Sequence, residues 1–222
     1  MFQQASIRFL KELNNNNQKE WFDRNRSKYE STRLDLEAFT GDLIKKITKF
    51  DESVAHIVVR ECLFRINRDV RFSKDKSPYK NHMAMYISKG GKKAINPGYY
   101  FHLEPGKSYV AGGLWMPMAP ELKKVRQEID YNWDGFKKIF SNSKFKTAFG
   151  DFNRSEDVLL SRPPKGYEAS NSAIEYLKLK SWIVSAKISD TELVSRGLSK
   201  KVSAYFETMH PLVKFFNQAL DE

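Results

Sequence analysis

Residues 83–115 read MAMYISKGGKKAINPGYYFHLEPGKSYVAGGLW, and the spacing of their apolar residues decides the fold class. Met83, Met85 and Ile87 alternate with Ala84, Tyr86 and Ser88, the period of two of a half-buried strand. Ser88-Lys89-Gly90-Gly91-Lys92 reads as a turn or flexible loop, after which Tyr99, Phe101 and Leu103 alternate with Tyr100, His102 and Glu104. Glu104-Pro105-Gly106-Lys107 carries turn chemistry, so Tyr109 to Trp115 is the returning strand. Gly112-Gly113 inside it marks a bulge or a close backbone approach. Residues about 57–116 are expected to form an antiparallel sheet region, with a further strand around 181–188 (Trp182, Val184, Ala186, Ile188).

On either side the period lengthens to that of helices. Phe9, Leu10 and Leu13 make an apolar face that the run Asn14 to Asn17 ends, and Asn17 or a neighbour is expected to cap a segment carrying Trp21 and Phe22. Tyr29, Leu36, Phe39, Leu43 and Ile47 predict an amphipathic helix over residues about 27–49. Pro120 suits a first helical turn and Leu122, Val125 and Ile129 follow it. Short helices are expected over 132–149 and around 171–179, and another capped by Asp190 and ended by Gly197. The last helix carries Val202, Phe206, Met209, Val213, Phe216 and Leu220, with Pro211 expected to kink it. The pattern predicts an α+β fold: a single domain over 1–222 with a mainly antiparallel sheet and helices packed around it. A division near residue 118 is the alternative boundary.

Charge is distributed unevenly. Residues 65–107 hold ten basic and three acidic side chains, a net +7 out of +11 for the whole chain. A local excess of this kind is an electrostatic footprint for an anionic partner, although net charge also serves solubility. Cys62 is the single cysteine, placed in a probable strand, so no internal disulfide or thiolate metal cluster is expected. The first residues lack the pattern of a signal peptide and no apolar run approaches a membrane span, so a cytoplasmic location without membrane partners is expected. Oligomeric state leaves no mark in the sequence.

The charge is densest in residues 65–80, RINRDVRFSKDKSPYK. Arg65, Arg68 and Arg71 recur every third residue and cannot converge from a regular strand, because alternate residues face opposite ways. Asp69, Ser73, Asp75 and Ser77-Pro78 supply the turns that convergence needs. The expected anion site comprises Arg65, Arg68, Arg71, Lys74, Lys76, Tyr79 and Lys80, with Arg68, Arg71 and Lys76 as contacts and Tyr79 as a packing wall. The expected ligand is a phosphate-bearing or other anionic molecule, with a nucleic acid on the same basic surface as the alternative. The competing reading pairs Asp69 and Asp75 with these cations as a structural network.

This cassette resembles the signature of the uncharacterised bacterial and fungal proteins grouped as domain of unknown function 2461. The resemblance extends to Phe9-Leu10, Asn16-Asn17, Glu20-Trp21-Phe22, Tyr29, Tyr99 to Leu103, Gly112-Gly113 to Pro117 and Lys165-Gly166-Tyr167. It implies a single-domain protein of this size and brings no activity, cofactor or catalytic residue with it.

His56, His82, His102 and His210 lack the paired spacing of a metal site, so no metal and no cofactor are expected, although His82 and His102 can meet across the sheet. His102 is the best acid/base candidate for a third reading, an enzyme acting on a phosphorylated small molecule. Nucleophile elbows and glycine-rich phosphate loops are absent. For the nucleic-acid reading, Tyr100 and Trp115 are the candidate stacking residues, Tyr100 being the strand aromatic expected to be exposed.

Overall fold

The computed structural model describes residues 1–221; Glu222, the last residue of the expected domain, lies outside the described residues. The chain enters through α1 (Gln4–Asn15), α2 (Lys19–Arg24) and α3 (Arg26–Ile47), then a 3₁₀ turn at Glu52–Val54 and the short α4 (Val59–Cys62). The strands β1 (Met83–Ile87), β2 (Gly98–Leu103) and β3 (Tyr109–Leu114) follow. Next come α5 (Ala119–Tyr131), α6 (Trp133–Ser141), α7 (Ser143–Phe149) and α8 (Ile174–Leu177). Finally β4 (Trp182–Lys187), α9 (Asp190–Leu193) and α10 (Leu198–Asp221) close the fold.

The four strands form one antiparallel sheet in the order β1-β2-β3-β4, and the fold is α+β. Alternation gives the sheet two unlike faces. On one, Met85, Phe101 and Val110 form a row across three strands, and Tyr99, Gly112 and Val184 form the next. All six are buried, beneath α3 and α10. Gly112 serves the close approach its sequence position suggested: a Cβ there would meet Met209 Sδ of α10 at 2.6 Å. Gly113, at φ 120, has no room either, since a Cβ would lie 2.0 Å from the Trp182 carbonyl oxygen. Both glycines pair in unbroken register, opposite Val184 and Ile183, so the strand carries no bulge. The apolar core is continuous from α1 to α10 and takes in side chains from both sides of residue 118.

Several local expectations are corrected. The sheet expected over about 57–116 has its first named strand at Met83; before it the chain pairs through isolated bridges, Leu63 with Met85 and Asn67 with Tyr79, and the basic cassette lies between Leu63 and β1. Cys62 ends the helical turn α4 and is fully buried. Gln18, the neighbour of Asn17, is the N-cap residue of α2, with no side-chain capping bond; the Asn17 side chain instead clamps Tyr79, accepting from the backbone N at 3.1 Å and donating to the carbonyl at 2.8 Å. Ser189, not Asp190, caps α9, because its hydroxyl and Glu192 satisfy each other's backbone donors. Asp190 instead accepts from Gly106 N and pairs with Lys11.

One polar cluster fastens α10 and the 3₁₀ turn to the covered face. The Tyr99 hydroxyl donates to Asp51 Oδ2 at 2.8 Å and lies 2.9 Å from His210 Nδ1. Ser53 donates to the same carboxylate. Burial acts to raise the Asp51 carboxyl, but the hydrogen bonds from His210, Ser53 and Tyr99 outweigh it and hold the group at about 2. A depressed folded value stabilises the fold fully above the unfolded value near 4, and that stabilisation is lost as pH falls from there through 2. Asp51→Asn is therefore expected to remove about 2 kcal/mol at pH 7 and to flatten the acid limb of urea unfolding between about pH 4 and 2. An acid limb identical to wild type would contradict this assignment.

Candidate functional site

The second face of the sheet is walled by loops. Tyr86, Tyr100, Ala111 and Ser185 form a single row across all four strands and make the floor of a cavity of about 940 Å³. Pockets that take small molecules span roughly 300–1,000 Å³. Each wall is tied to the sheet. Phe64 stands at the β1 edge, its backbone N donating to the Ala84 carbonyl at 3.1 Å. At the opposite edge Asn153 N donates to the Ile183 carbonyl at 2.9 Å, which fixes Phe152 and Asn153 on the rim. The loop between β1 and β2 folds back over the floor, held by the Tyr86 hydroxyl on the Asn96 carbonyl at 2.7 Å. That loop contributes Lys92, whose ammonium donates to the carbonyls of Arg60 and Glu61. The one acid in the lining, Asp151, is paired with Arg154 Nε at 2.7 Å, so Lys92 sets the sign of the cavity.

Next to the floor, the same face carries a chain of polar groups. Tyr100 and His102 lie two apart on β2 with Glu104 just past its end, so all three project to one side. The Tyr100 hydroxyl is 2.9 Å from His102 Nδ1, and His102 Nε2 is 3.0 Å from Glu104 Oε2. Tyr109, opposite His102 on β3, stacks on its ring at 4.7 Å and lines the cavity. The His82 ring packs against His102 as well, tilted, with centroids 4.3 Å apart. Tyr100 is thus half-buried and hydrogen-bonded, contrary to its expected exposure, whereas Trp115 is 58% exposed at the rim.

Burial lowers the His102 imidazole's pKa, an effect that the Glu104 hydrogen bond only partly reverses. Burial and the neighbouring His102 and Lys80 charges bring His82 down to about 4. Burial acts to raise Glu104, but the His102 hydrogen bond and Lys107 hold it low. Burial keeps the Tyr100 phenol protonated. At neutral pH the chain is therefore directional: Tyr100 O–H donates to neutral His102, and His102 N–H donates to the Glu104 carboxylate.

Residues 5–215 match the family model described as "Conserved hypothetical protein (DUF2461)". The chain belongs to the DUF2461 family. No curated protein and no solved structure matches it.

The family match takes in the basic cassette, which in this DUF2461 chain is a loop closed at its base and braced inside. At the base Arg68 N donates to the Pro78 carbonyl and Lys80 N to the Ile66 carbonyl. Arg68 turns inward to Asp75, the Ser77 carbonyl and Ser73. Arg71 holds Asp69 at 2.7 Å, and Lys76 donates to the Val70 carbonyl at 3.0 Å. Hydrogen bonds from Ser77, then Arg68, keep Asp75 at about 2. Tyr79 is buried, stacked on Phe22 at 3.9 Å. Among the described residues, Arg65 and Lys74 make no side-chain hydrogen bond or ion pair, and Lys80 Nζ donates to the Arg65 carbonyl while lying 5.7 Å from the Phe64 ring.

The seven cassette residues are therefore not brought to one point. Lys80 lies beside Phe64 of the cavity wall and Arg65 follows Phe64 in the chain, while Arg68, Arg71 and Lys76 bond within the loop. Sequence reasoning missed Phe64, Lys92, Tyr109 and Phe152, which only strand register and two edge hydrogen bonds assemble. Arg68→Ala is expected to remove about 1–2 kcal/mol of stability and to speed amide exchange across residues 68–78. Exchange rates there equal to wild type would mean that the bracing bonds do not hold the loop.

Proposed function

We propose that the protein binds a small phosphate-bearing or otherwise anionic ligand in the cavity on the loop-walled sheet face. The observation that carries the reading is the cavity itself: a row of side chains across four strands, walled by Phe64 and Phe152, with Lys92 in its lining and Lys80 Nζ 5.7 Å from the Phe64 ring. Lys92 and Lys80 supply point charges and Arg65 a guanidinium fork suited to paired phosphate oxygens. The aromatic walls accommodate a planar body attached to the anion. Arg68, Arg71, Lys74 and Lys76 contribute through the loop's shape and field rather than by contact. With this ligand in place the Tyr100–His102–Glu104 chain offers acid/base chemistry, which is the form the enzyme reading takes here.

One observation favours nucleic acid instead. Phe72 is 95% exposed near the apex of the loop, with the Arg71 guanidinium 5.8 Å from its ring, an arrangement suited to stacking a base beside a phosphate.

Calorimetric titration with inorganic pyrophosphate and with adenosine diphosphate tests the proposal. Lys92→Ala, Lys80→Ala and Arg65→Ala should each weaken binding by about tenfold, near 1.4 kcal/mol, while Arg71→Ala stays within about twofold. Loss of binding in Arg71→Ala with the other three unchanged would move the site to the apex and overturn the cavity reading. Binding of single-stranded oligonucleotides that falls steeply with salt and is lost in Phe72→Ala would establish the nucleic-acid alternative.

A further inference from the structure

His82, His102 and Glu104 come from two strands and a turn, and the pairing of β1 with β2 brings them together. Met83 pairs with Leu103 and Ala84 with His102, so the next position along each chain sets His82 opposite Glu104 and diagonal to His102. Ala84, the residue directly opposite His102, is small, and the His82 ring leans across it to within 4.3 Å of the His102 ring. One nitrogen of each imidazole and one carboxylate oxygen then lie within 4.8 Å of one another.

We propose that these three side chains form a binding site for a divalent first-row transition metal ion of the zinc or iron(II) class. Two imidazoles and one carboxylate are the donor set those ions favour over magnesium or calcium, and three protein ligands leave a position for water or a substrate atom. A tetrahedral ion holds neighbouring nitrogen and oxygen ligands about 3.3 Å apart. His102 Nε2 and Glu104 Oε2 are already 3.0 Å apart, so closing the site asks mainly for a small movement of His82.

The surrounding hydrogen bonds single out one atom of each ligand. His82 Nδ1 faces Asn81 Oδ1 at 3.3 Å, and His102 Nδ1 faces the Tyr100 hydroxyl at 2.9 Å. Glu104 Oε1 accepts from Asn81 Nδ2 at 3.1 Å and lies 3.5 Å from Lys107 Nζ. His82 Nε2, His102 Nε2 and Glu104 Oε2 are left for the ion. Metal-bound imidazoles are held in this way, the second nitrogen on an oxygen that fixes ring and tautomer. Binding moves the His102 proton to Nδ1, which then donates to the Tyr100 oxygen, and the Tyr100 hydroxyl turns to Tyr109. The His102 and Glu104 side chains are only 9% and 15% exposed, so water competes weakly for the ion's ligands. The site adjoins the cavity through Tyr109, yet it stands on its own residues and does not depend on anion binding.

The test uses the full chain, stripped with a chelator and titrated with cobalt(II), then with zinc(II) in competition. Wild type should take up one equivalent with a micromolar or tighter dissociation constant and develop visible d–d bands that zinc removes. His82→Ala, His102→Ala and Glu104→Gln should each weaken binding at least tenfold, and Asn81→Ala by about 10–100-fold through the lost support of His82 and Glu104. His56→Ala, remote from the site, should bind like wild type. Millimolar or absent binding by wild type would overturn the proposal whether or not the variants fold. So would affinity unchanged in folded His82→Ala and Glu104→Gln, since Glu104→Gln preserves shape while removing the charged ligand.

Discussion

Antiparallel pairing of β1 with β2 is the constraint on which the rest of the molecule rests. One register sends Met83, Met85, Tyr99 and Phe101 under α3 and α10, and the same register sends His82, Tyr86, Tyr100 and His102 to the other side. A slip of one residue would exchange the two sets and bury imidazoles where the helices need apolar side chains. Core packing and the polar arrangement of the second face are therefore specified together. The helices enforce the register, most tightly at Gly112, where α10 touches backbone instead of a side chain.

The two faces handle polar groups in opposite ways. On the covered face Asp51, Tyr99 and His210 satisfy one another, and their cluster locks a turn and a helix to the sheet. On the loop-walled face the polar groups stay close to a cavity and to solvent, and they sit beside positive charge. Within the basic loop the arginines divide by position. Those that close on Asp75 and Asp69 brace the loop from inside, whereas Arg65 and Lys80 lie at its base, next to Phe64 of the cavity wall. The structural network and the anion contacts proposed above thus belong to different parts of one loop.

Much of this was legible in the sequence. The change of period at residue 83 gave the sheet, and helices α3 and α10 follow from their apolar stripes within a few residues. The shared face of Tyr100, His102 and Glu104 follows from alternation alone, and so does the possibility that His82 meets His102. Their convergence does not, because it depends on which residue of β1 faces which of β2, and the connecting loop of Ser88 to Pro97 does not dictate that register. The cavity walls were hidden for the same reason. Phe64 and Phe152 lie far apart in the chain and are held at opposite sheet edges by backbone hydrogen bonds from Phe64 and from Asn153. Cys62 and Asn17 were misplaced because tertiary contacts, not local propensity, decide their surroundings.

The most direct test of the central claim, that function resides on the loop-walled face, is amide chemical-shift mapping by NMR during titration with inorganic pyrophosphate. The shifts should cluster at residues 64–65, 80, 92–96, 100 and 109–111, around the cavity and the base of the basic loop. Shifts confined to residues 69–76, with the sheet undisturbed, would place recognition at the loop apex and contradict it.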